Sequence, residues 1–484
     1  MARTSVSHPL QIAAVRTAPG HGRIGITFCP GKVQSSAVTG AWARDLDLDI
    51  AAIADWGAAA VLTLIEPHEM TALQVENLGR AVERAHMDWL HAPIPDVSVP
   101  DARFEAQWVE VGGGLRDRLR AGFDVVVHCK GGLGRAGMIA ARLMVELSMD
   151  PEEAIGRVRA ARPGAIETAA QEAHVRQQRP VAERQPSTEP DAIRDRATGA
   201  LLGLALGDAL GTTLEFKARD TYEHLTGMVG GGPFNLKPGQ WTDDTAMALA
   251  LADCLVACDG LNEQDLLARF SDWWRNGTYS CTGRCFDIGA TTAQAVRRWE
   301  KTRADHCGST DPHSAGNGSL MRLAPVAIRF WNNRPALREA AARQSKTTHA
   351  AAEAVDACVV YAEMLADAIA GRPRSEVLRG RDGGWAAGVS GVNSGSWRGK
   401  PRREISGSGY VVHSLEAALW SVGRTTRFDR AVLHAANLGQ DADTSAALTG
   451  QLAGAMAGAS RLPLAWLDKL AWRNQLEKAA GQLI

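Results

Sequence analysis

The sequence of 484 residues lacks several features that would assign it to a specialised class of protein. Its formal net charge is only −1, so bulk electrostatics favour neither nucleic acid nor an anionic membrane surface. The N-terminal residues are polar and interrupted by proline and glycine, unlike a signal peptide. No uninterrupted apolar run reaches the roughly 18 residues needed to span a membrane. We therefore expect a cytoplasmic protein with no nucleic-acid or membrane partner.

Cysteine is also scarce, and the eight cysteines are scattered rather than arranged as a disulfide framework. Cys281 and Cys285 are close together, and Cys307 follows His306, but this spacing matches no common zinc finger. A zinc site there is one alternative. The simpler interpretation is a set of reduced thiols in a cytosolic protein.

The length exceeds that of one ordinary domain, so at least two domains are expected. The best candidate for a linker is 179–193, which is rich in charge and proline and shows no apolar periodicity. The sequence therefore predicts an N-terminal domain over 1–178 and a C-terminal domain over 194–484.

The two predicted domains differ in their apolar patterns. Before the linker, strand-like runs at 58–65 and 123–129 alternate with helical patterns at 69–85 and 136–148. That alternation predicts an α/β domain with a parallel-type sheet flanked by helices. After the linker, Ala, Leu and Gly dominate and apolar residues recur at helical spacing, which predicts an all-α domain.

The stretch "DVVVHCKGGLGRAG" (124–137) indicates a phosphate-binding loop between a buried strand and a helix. The glycines allow successive N–H groups to converge on one anion, and the start of the helix adds its positive end. This environment lowers the pKa of a thiol such as that of Cys129, while Arg135 can clamp two phosphoryl oxygens. An ordinary glycine turn after a buried cysteine is the alternative. The predicted phosphate-binding residues are Lys130, Gly131, Gly132, Leu133 and Gly134.

Phosphoryl transfer through a phosphocysteine also needs an acid that protonates the leaving oxygen. The stretch "HAPIPDVSVPD" supplies two candidates, Asp96 and Asp101, in a loop after a probable strand. Either aspartate could instead be a turn residue or a helix cap.

The stretch "HCKGGLGRAG" resembles the HC-x5-R signature of cysteine-dependent protein phosphatases. The N-terminal third resembles the family of the cyclin-dependent kinase-associated dual-specificity phosphatase, with "GITFCPGK" and "RPGAIETAAQEAHV" also in the family's order. The resemblance implies that Cys129 is the nucleophile, Arg135 the phosphate clamp and Asp96 the general acid. The family usually has Ser or Thr after the arginine, where this chain has Ala136. That hydroxyl helps the thiolate leave, so the departure favours slow turnover or phosphate binding without catalysis.

Two acidic motifs, "WTDDT" (241–245) and "DADT" (441–444), lie at predicted helix starts about 200 residues apart. Carboxylates and threonine hydroxyls are hard oxygen ligands, which suit Mg²⁺ or Mn²⁺. Either motif alone would be interpreted as a helix N-cap. Two similar clusters in one Ala-rich helical domain favour a shared binuclear site. The candidate ligands are Thr242, Asp243, Asp244, Asp441, Asp443 and Thr444.

Further polar residues interrupt the helical pattern. Asp208 and Glu215 flank a Gly-rich break, and the Gly/Asn/Ser loop at 314–326 can present N–H groups to a diphosphate. The stretch "TTHAAAEAVDA" places Thr348, His349 and Glu353 on one predicted helix. His349 could equally be a cap or a core histidine, and Glu353 could lie on a solvated face.

Together these motifs resemble the ADP-ribosylglycohydrolase family, which includes the dinitrogenase reductase-activating glycohydrolase. The resemblance covers 195–484 and includes "GALLGLALGDALGTTLEF", "AGNGSLMRLAPVA" and "NLGQDADTSAALTGQLAGA" in family order. It implies an all-α domain that holds two Mg²⁺ ions, or Mn²⁺, through the six ligands named above, with Glu215 near the scissile ribose. Gln440 replaces a glycine common in the family, with little expected effect. The implied ADP-ribose-binding residues are Asp287, Gly316, Asn317, Gly318, Ser319 and His349.

The expected function is that of a bifunctional hydrolase. A Mg²⁺-dependent C-terminal domain would remove ADP-ribose from a modified protein or small molecule, and a cysteine-dependent phosphatase domain would act on an unidentified phosphorylated substrate. The main alternative is an ADP-ribosyl hydrolase whose N-terminal domain binds phosphate as a catalytically weak regulatory domain. A scaffold with neither activity is the third interpretation, and the complete set of metal ligands argues against it.

Overall fold

The computed structural model describes residues 2–35, 37 and 40–484. The chain divides into two compact units. The first unit comprises 1–183 with the short segments 398–401 and 423–426, and the second comprises the remaining residues.

The first unit is built on a five-stranded sheet of strand order β1-β2-β7-β5-β6. Strand β1 pairs with β2 in antiparallel fashion, and the other pairs are parallel, so the predicted parallel-type sheet is confirmed. A separate two-stranded sheet joins β3 and β4. The strands are β1 Ala13–Arg16, β2 Arg23–Phe28, β3 Val33–Gln34, β4 Trp42–Ala43, β5 Ala58–Thr63, β6 Asp88–His91 and β7 Asp124–Cys129.

Helices surround this sheet, and strands β5 and β7 are buried along their whole length, as expected for parallel strands covered on both faces. The helices of the first unit are α1 Leu46–Asp55, α2 Pro67–Ala72, α3 Leu78–Arg84, α4 Ala102–Arg120, α5 Gly134–Glu146, α6 Pro151–Ala161 and α7 Ala169–Gln177.

The single helix predicted over 69–85 is wrong, because the chain forms α2 and α3 with a turn between them. Gln74 adopts a left-handed backbone conformation with φ of +59°. The N–H of Val75 then donates to the carbonyl of Met70 at 2.9 Å, as at the end of a helix. The turn buries Val75 and Leu78 completely, so packing in the core overrides the helical pattern of the sequence.

The second unit is helical, and no strand occurs in the fully described range 184–484. The all-α prediction is therefore confirmed. Its helices are α8 Pro190–Gly211, α9 Asp243–Ala257, α10 Glu263–Asn276, α11 Ala290–Thr302, α12 Ala324–Arg329, α13 Arg334–Thr348, α14 Ala352–Ala370, α15 Arg374–Val377, α16 Ala387–Asn393, α17 Val411–Arg424, α18 Phe428–Ala436, α19 Ala442–Ala457, α20 Leu464–Leu467 and α21 Arg473–Leu483.

Helix α8 begins at Pro190, three residues before the end of the predicted linker 179–193. The helical stretch Pro190–Leu214 is long and apolar enough to cross a membrane by length and composition alone. However, 89% of its most apolar window is buried inside the protein, and a core helix of a globular domain passes the same test. It is the central helix of the second unit.

Helices α8 and α19 pack with their backbones in direct contact. Four glycines at every fourth position of α8 face α19, namely Gly199, Gly203, Gly207 and Gly211. A Cβ atom added at any of them would lie within 2.4 Å of a backbone oxygen of α19. Only glycine therefore permits this approach, which brings Asp208 of α8 close to the N-terminus of α19.

Candidate active sites

The phosphate-binding loop lies at the end of β7, as the sequence predicts. The buried Sγ atom of Cys129 accepts a hydrogen bond from the N–H of Gly132 at 3.3 Å. Gly132 has a φ of +70°, and a Cβ there would lie 2.4 Å from the backbone carbon of Thr27. Helix α5 begins at Gly134, directly after the loop. The site thus combines a thiol, a tight glycine loop and a helix N-terminus.

Arg135 already has carboxylate partners in the first unit. Its Nη1 and Nη2 atoms donate to Oε2 and Oε1 of Glu69 at 2.6 and 2.9 Å. Burial alone would raise the pKa of Glu69, but the hydrogen bonds from Arg135 lower it overall. Glu69 is 66 residues from Arg135 along the chain, so no local sequence motif identifies it.

The two candidate general acids occupy different positions. Asp101 caps helix α4 by accepting the N–H of Phe104 at 2.8 Å. The Oδ1 atom of Asp96 lies 2.8 Å from Nη2 of Arg135, and 54% of the Asp96 side chain is exposed. The structure therefore places Asp96 beside the loop arginine and gives Asp101 a capping role.

Two further cations contact the carbonyls of the loop. Nζ of Lys32 donates to the carbonyl of Lys130 at 3.3 Å, and Nε of Arg162 donates to that of Gly132 at 3.1 Å. Burial lowers the pKa of Lys32 to about 8. Ala136, by contrast, is fully buried in the first turn of α5. Both cations lie in stretches that carry the family resemblance, Lys32 in "GITFCPGK" and Arg162 in "RPGAIETAAQEAHV", but their contacts with the loop were not predicted.

The two acidic motifs lie in the first turns of α9 and α19, rather than in loops before them. Neither Thr242 nor Asp441, at the N-cap positions, caps its own helix with its side chain. Asp208 of α8 caps α9 instead, because it accepts the N–H groups of Thr242 and Thr245 at 2.8 and 3.0 Å. The capping explanation for the motifs therefore fails, and their carboxylates stay available for another role.

The carboxylates converge around Asp443. It belongs to three groups whose ligand oxygens lie within 4.8 Å of one another, and its Oδ2 atom lies 3.3 Å from Oγ1 of Thr242. Thr444, also in the first turn of α19, donates its N–H to Oδ1 of Asp443 at 2.8 Å. The three groups are Asp208, Asp244 and Asp443; Glu215, Asp441 and Asp443; and Asp243, Asp287 and Asp443.

These side chains repel one another. Burial, and then the charge of Asp443, raise the pKa of Asp208 to about 7, of Asp441 to about 8 and of Asp287 to about 9. Among the described residues, the buried Oδ1 atom of Asp244 has no hydrogen-bond partner. A buried, oxygen-only set of like charges with an unpartnered oxygen fits hard divalent cations such as Mg²⁺ or Mn²⁺.

The predicted ligand loop meets the acidic cluster at one point. Nδ2 of Asn317 donates to Oδ2 of Asp441 at 2.6 Å. Gly316 and Gly318 pack on the ring of His349, and a Cβ at Gly318 would lie 2.7 Å from its Cε1 atom. Burial and the charge of the nearby Arg322 lower the pKa of His349 to about 3. His349 is thus a neutral, buried support beneath the loop.

Two further expectations, for Ser319 and for the group Thr348, His349 and Glu353, differ from the structure. The hydroxyl of Ser319 is fully buried and bonds the hydroxyl of Ser345 at 2.8 Å, so it faces the core. The prediction that Thr348, His349 and Glu353 share one helix is wrong, because α13 ends at Thr348 and α14 begins at Ala352. The break positions His349 under the glycine loop.

Comparison with known proteins follows this division into two units. The sequence model of the ADP-ribosylglycohydrolase family matches residues 189–484. The chain belongs to the ADP-ribosylglycohydrolase family. A relative from Pseudomonas putida (strain GB-1), named ADP-ribosylarginine hydrolase Tri1, is 46% identical over 294 residues, or 61% of this chain and 79% of that protein. A solved ADP-ribosylglycohydrolase-related protein complex shares 38% identity with a TM-score of 0.54, over 60% of this chain and 98% of that one.

The first unit matches a different family. The model described as "Swiss Army Knife protein, DSP-PTPase phosphatase domain" matches residues 36–175. A solved structure of kinase associated phosphatase shares 24% identity over 34% of this chain and 92% of that one, with a TM-score of 0.31. The two family models confirm the predicted fold classes and family resemblances: a DSP-type phosphatase domain precedes an ADP-ribosylglycohydrolase domain. The ADP-ribosylglycohydrolase family is metal-dependent, in keeping with the acidic cluster.

Proposed function

We propose that the ADP-ribosylglycohydrolase domain is a Mg²⁺-dependent hydrolase that releases ADP-ribose from ADP-ribosylated arginine. The observation that carries this proposal is the convergence of buried carboxylates on Asp443, with the helix N-termini satisfied by Asp208 and Glu215 instead. The substrate comes from the relatives: the proteins that are 46% and 44% identical are both named ADP-ribosylarginine hydrolase.

The side chains that would hold two cations are Thr242, Asp243, Asp244, Asp441, Asp443 and Thr444. When bound, the cations supply positive charge that neutralises these carboxylates, orients the ribose diol and activates a water molecule. Glu215 is buried beside Asp443, and its Oε2 atom accepts the N–H of that residue at 3.3 Å. From there its carboxyl group can stabilise the positive charge that develops on the ribose as the glycosidic bond breaks.

The test uses the full chain and an arginine peptide that carries one ADP-ribose. Release of ADP-ribose should require Mg²⁺ or Mn²⁺, stop in excess chelator and return when the metal is restored. Unchanged release in chelator contradicts the metal mechanism. A serine-linked substrate cleaved far faster than the arginine-linked one contradicts the proposed acceptor.

For the first unit we propose cysteine-dependent phosphatase activity. Cys129 would attack phosphorus and form a phosphocysteine, while Asp96 would protonate the departing oxygen. The observation that supports this is the 2.8 Å ion pair between Asp96 and Arg135, the residue that follows the Cys129 loop. Release of 4-nitrophenol from its phosphate tests the proposal, and Cys129→Ser should abolish it.

A regulatory phosphate-binding domain is the second candidate for this unit. It is favoured by Ala136, which leaves the first turn of α5 without the hydroxyl that assists departure of the thiolate. Tight, saturable binding of phosphate or tungstate without any turnover would support it over the phosphatase.

For the whole chain we propose a cytoplasmic location, where its eight free thiols would stay reduced.

A further inference from the structure

Three phenylalanines form a cluster in the second unit, which we call the aromatic rim: Phe216, Phe234 and Phe286. The ring centroids of Phe216 and Phe234 are 6.4 Å apart with the rings nearly perpendicular. Those of Phe234 and Phe286 are 5.2 Å apart at 53°. Tilted and edge-on contacts at these distances are the preferred geometries of aromatic pairs, so the rim is a packed unit.

The aromatic rim adjoins the acidic cluster on two sides. Phe216 directly follows Glu215, and Phe286 directly precedes Asp287. The carboxylates of both neighbours lie within 4.8 Å of other members of the cluster around Asp443. Phe216 and Phe286 are therefore each one residue along the chain from a carboxylate of the cluster.

Phe216 is unusual in its exposure and in its backbone. Its side chain is 68% exposed, although large aromatic side chains are normally buried. Its φ of +60° is a left-handed conformation that is unfavourable for a bulky residue. The backbone is nevertheless fixed, because the N–H of Phe216 donates to the carbonyl of Gln440 at 2.7 Å and the N–H of Gln440 donates to that of Lys217 at 2.7 Å. The backbone that carries this exposed ring is therefore held in place next to Glu215.

We infer that the aromatic rim binds the guanidinium group of the ADP-ribosylated arginine and selects for that acceptor, an inference that rests on the proposed function. A guanidinium is a planar cation that stacks on aromatic faces. The adenine ring of the same substrate is separated from the cleaved bond by two riboses and a diphosphate. The acceptor is therefore the planar group that would lie closest to the rim.

The experiment compares three variants of the full chain with the wild type. Phe216→Leu keeps apolar surface but removes the π face, and Phe216→Tyr keeps the ring. Leu464→Ala is the matched control, since Leu464 is 69% exposed in the same unit. The readouts are kcat and KM on arginine-linked and serine-linked ADP-ribosyl peptides, together with the calorimetric affinity for free ADP-ribose.

We expect Phe216→Leu to lower kcat/KM on the arginine peptide by about 5- to 30-fold, mainly through KM. Its activity on the serine peptide and its affinity for ADP-ribose should fall much less than its activity on the arginine peptide. Phe216→Tyr should retain more activity on the arginine peptide than Phe216→Leu, and Leu464→Ala should match the wild type in every value. Weaker ADP-ribose binding by Phe216→Leu would instead assign the rim to adenine. Equal losses on both peptides would indicate a structural role, and no loss on the arginine peptide would show that the rim does not bind the acceptor. Either result would overturn this inference without contradicting the proposed function. If the wild type does not cleave the arginine peptide, the proposed function fails first and the inference with it.

Discussion

The two candidate sites differ in how their charged side chains are neutralised. In the first unit the charged side chain of the site, Arg135, is neutralised by Glu69 and Asp96 before any ligand arrives. In the second unit the carboxylates around Asp443 have mainly one another as neighbours, and their raised pKa values record that repulsion. A site for an anion can be assembled from backbone N–H groups and an internally paired arginine. A site built from carboxylates stays unfavourable until a cation or protons neutralise it.

This contrast predicts that removing one carboxylate from the acidic cluster lowers activity but raises stability in the absence of metal. Asp443→Asn should reduce ADP-ribose release by at least about 100-fold, since the loss of residues that merely orient metal ligands already costs 10–100-fold in activity or metal affinity. The same change removes a like charge from the cluster, so the melting temperature in excess chelator should rise. Phosphatase activity of the same preparation serves as the internal control. A variant that is both inactive and less stable in chelator would contradict the repulsion argument.

The two carboxylates that contact Arg135 should differ in what they support. Glu69→Gln breaks a buried ion pair and should lower the free energy of unfolding of the first unit by roughly 3 kcal/mol. Asp96→Asn disrupts a half-exposed pair and should lower it by less than about 1 kcal/mol. Asp96→Asn should nevertheless strongly reduce the hydrolysis of alkyl phosphates, whose leaving oxygen needs a proton.

Urea unfolding followed by near-ultraviolet spectra, alongside activity on an alkyl and an aryl phosphate, would separate these effects. Activity on the aryl phosphate is the control for Asp96, because a good leaving group needs little acid catalysis. If Glu69→Gln unfolds like the wild type, the ion pair is not the structural support that its geometry indicates.

The stability of the second unit should depend on pH only when cations are absent. The carboxyl groups of the unfolded chain release their protons near pH 4. A carboxyl group whose pKa is raised in the folded state still holds its proton above that pH, so protonation favours the folded state. The stabilisation is therefore complete below about pH 4 and is lost as the pH rises through about 7 for Asp208, 8 for Asp441 and 9 for Asp287. Melting temperatures in chelator should fall between pH 5 and pH 8, and millimolar Mg²⁺ should flatten the curve. A flat curve in chelator would show that the carboxylates are not held together by the fold.

The smallest expected effect concerns the second step of the phosphatase. Ala136→Ser supplies the missing hydroxyl in the first turn of α5 and should accelerate hydrolysis of the phosphocysteine by a few-fold. The wild type should show a burst of 4-nitrophenol followed by slow release, and the variant a smaller burst with a faster steady phase. Ala140→Ser, one turn later in the same buried helix, controls for the added hydroxyl itself. A linear time course in the wild type would mean that the first step limits turnover.

The sequence predicted what depends on neighbours along the chain. Alternating apolar runs revealed the sheet, and contiguous motifs revealed the Cys129 loop and the acidic turns of α9 and α19. It did not reveal partners contributed by distant segments. Asp208 caps a helix that begins 35 residues later, and the aromatic rim is assembled from three separate loops. Likewise, the helix break that leaves His349 beneath its glycine loop depends on tertiary packing, which a helical pattern does not report.

The glycine contact between α8 and α19 also limits which substitutions the second unit tolerates. Asp208 is carried by α8 and Asp443 by α19, so the spacing of the two backbones sets the spacing of the carboxylates. An added methyl group at Gly203 or Gly207 would meet a backbone oxygen at 2.2 or 2.1 Å and push the helices apart. Neither glycine is among the candidate site residues, yet each position accepts only glycine. Natural variants that lose activity should therefore include substitutions of the glycines between α8 and α19 as well as of the acidic residues.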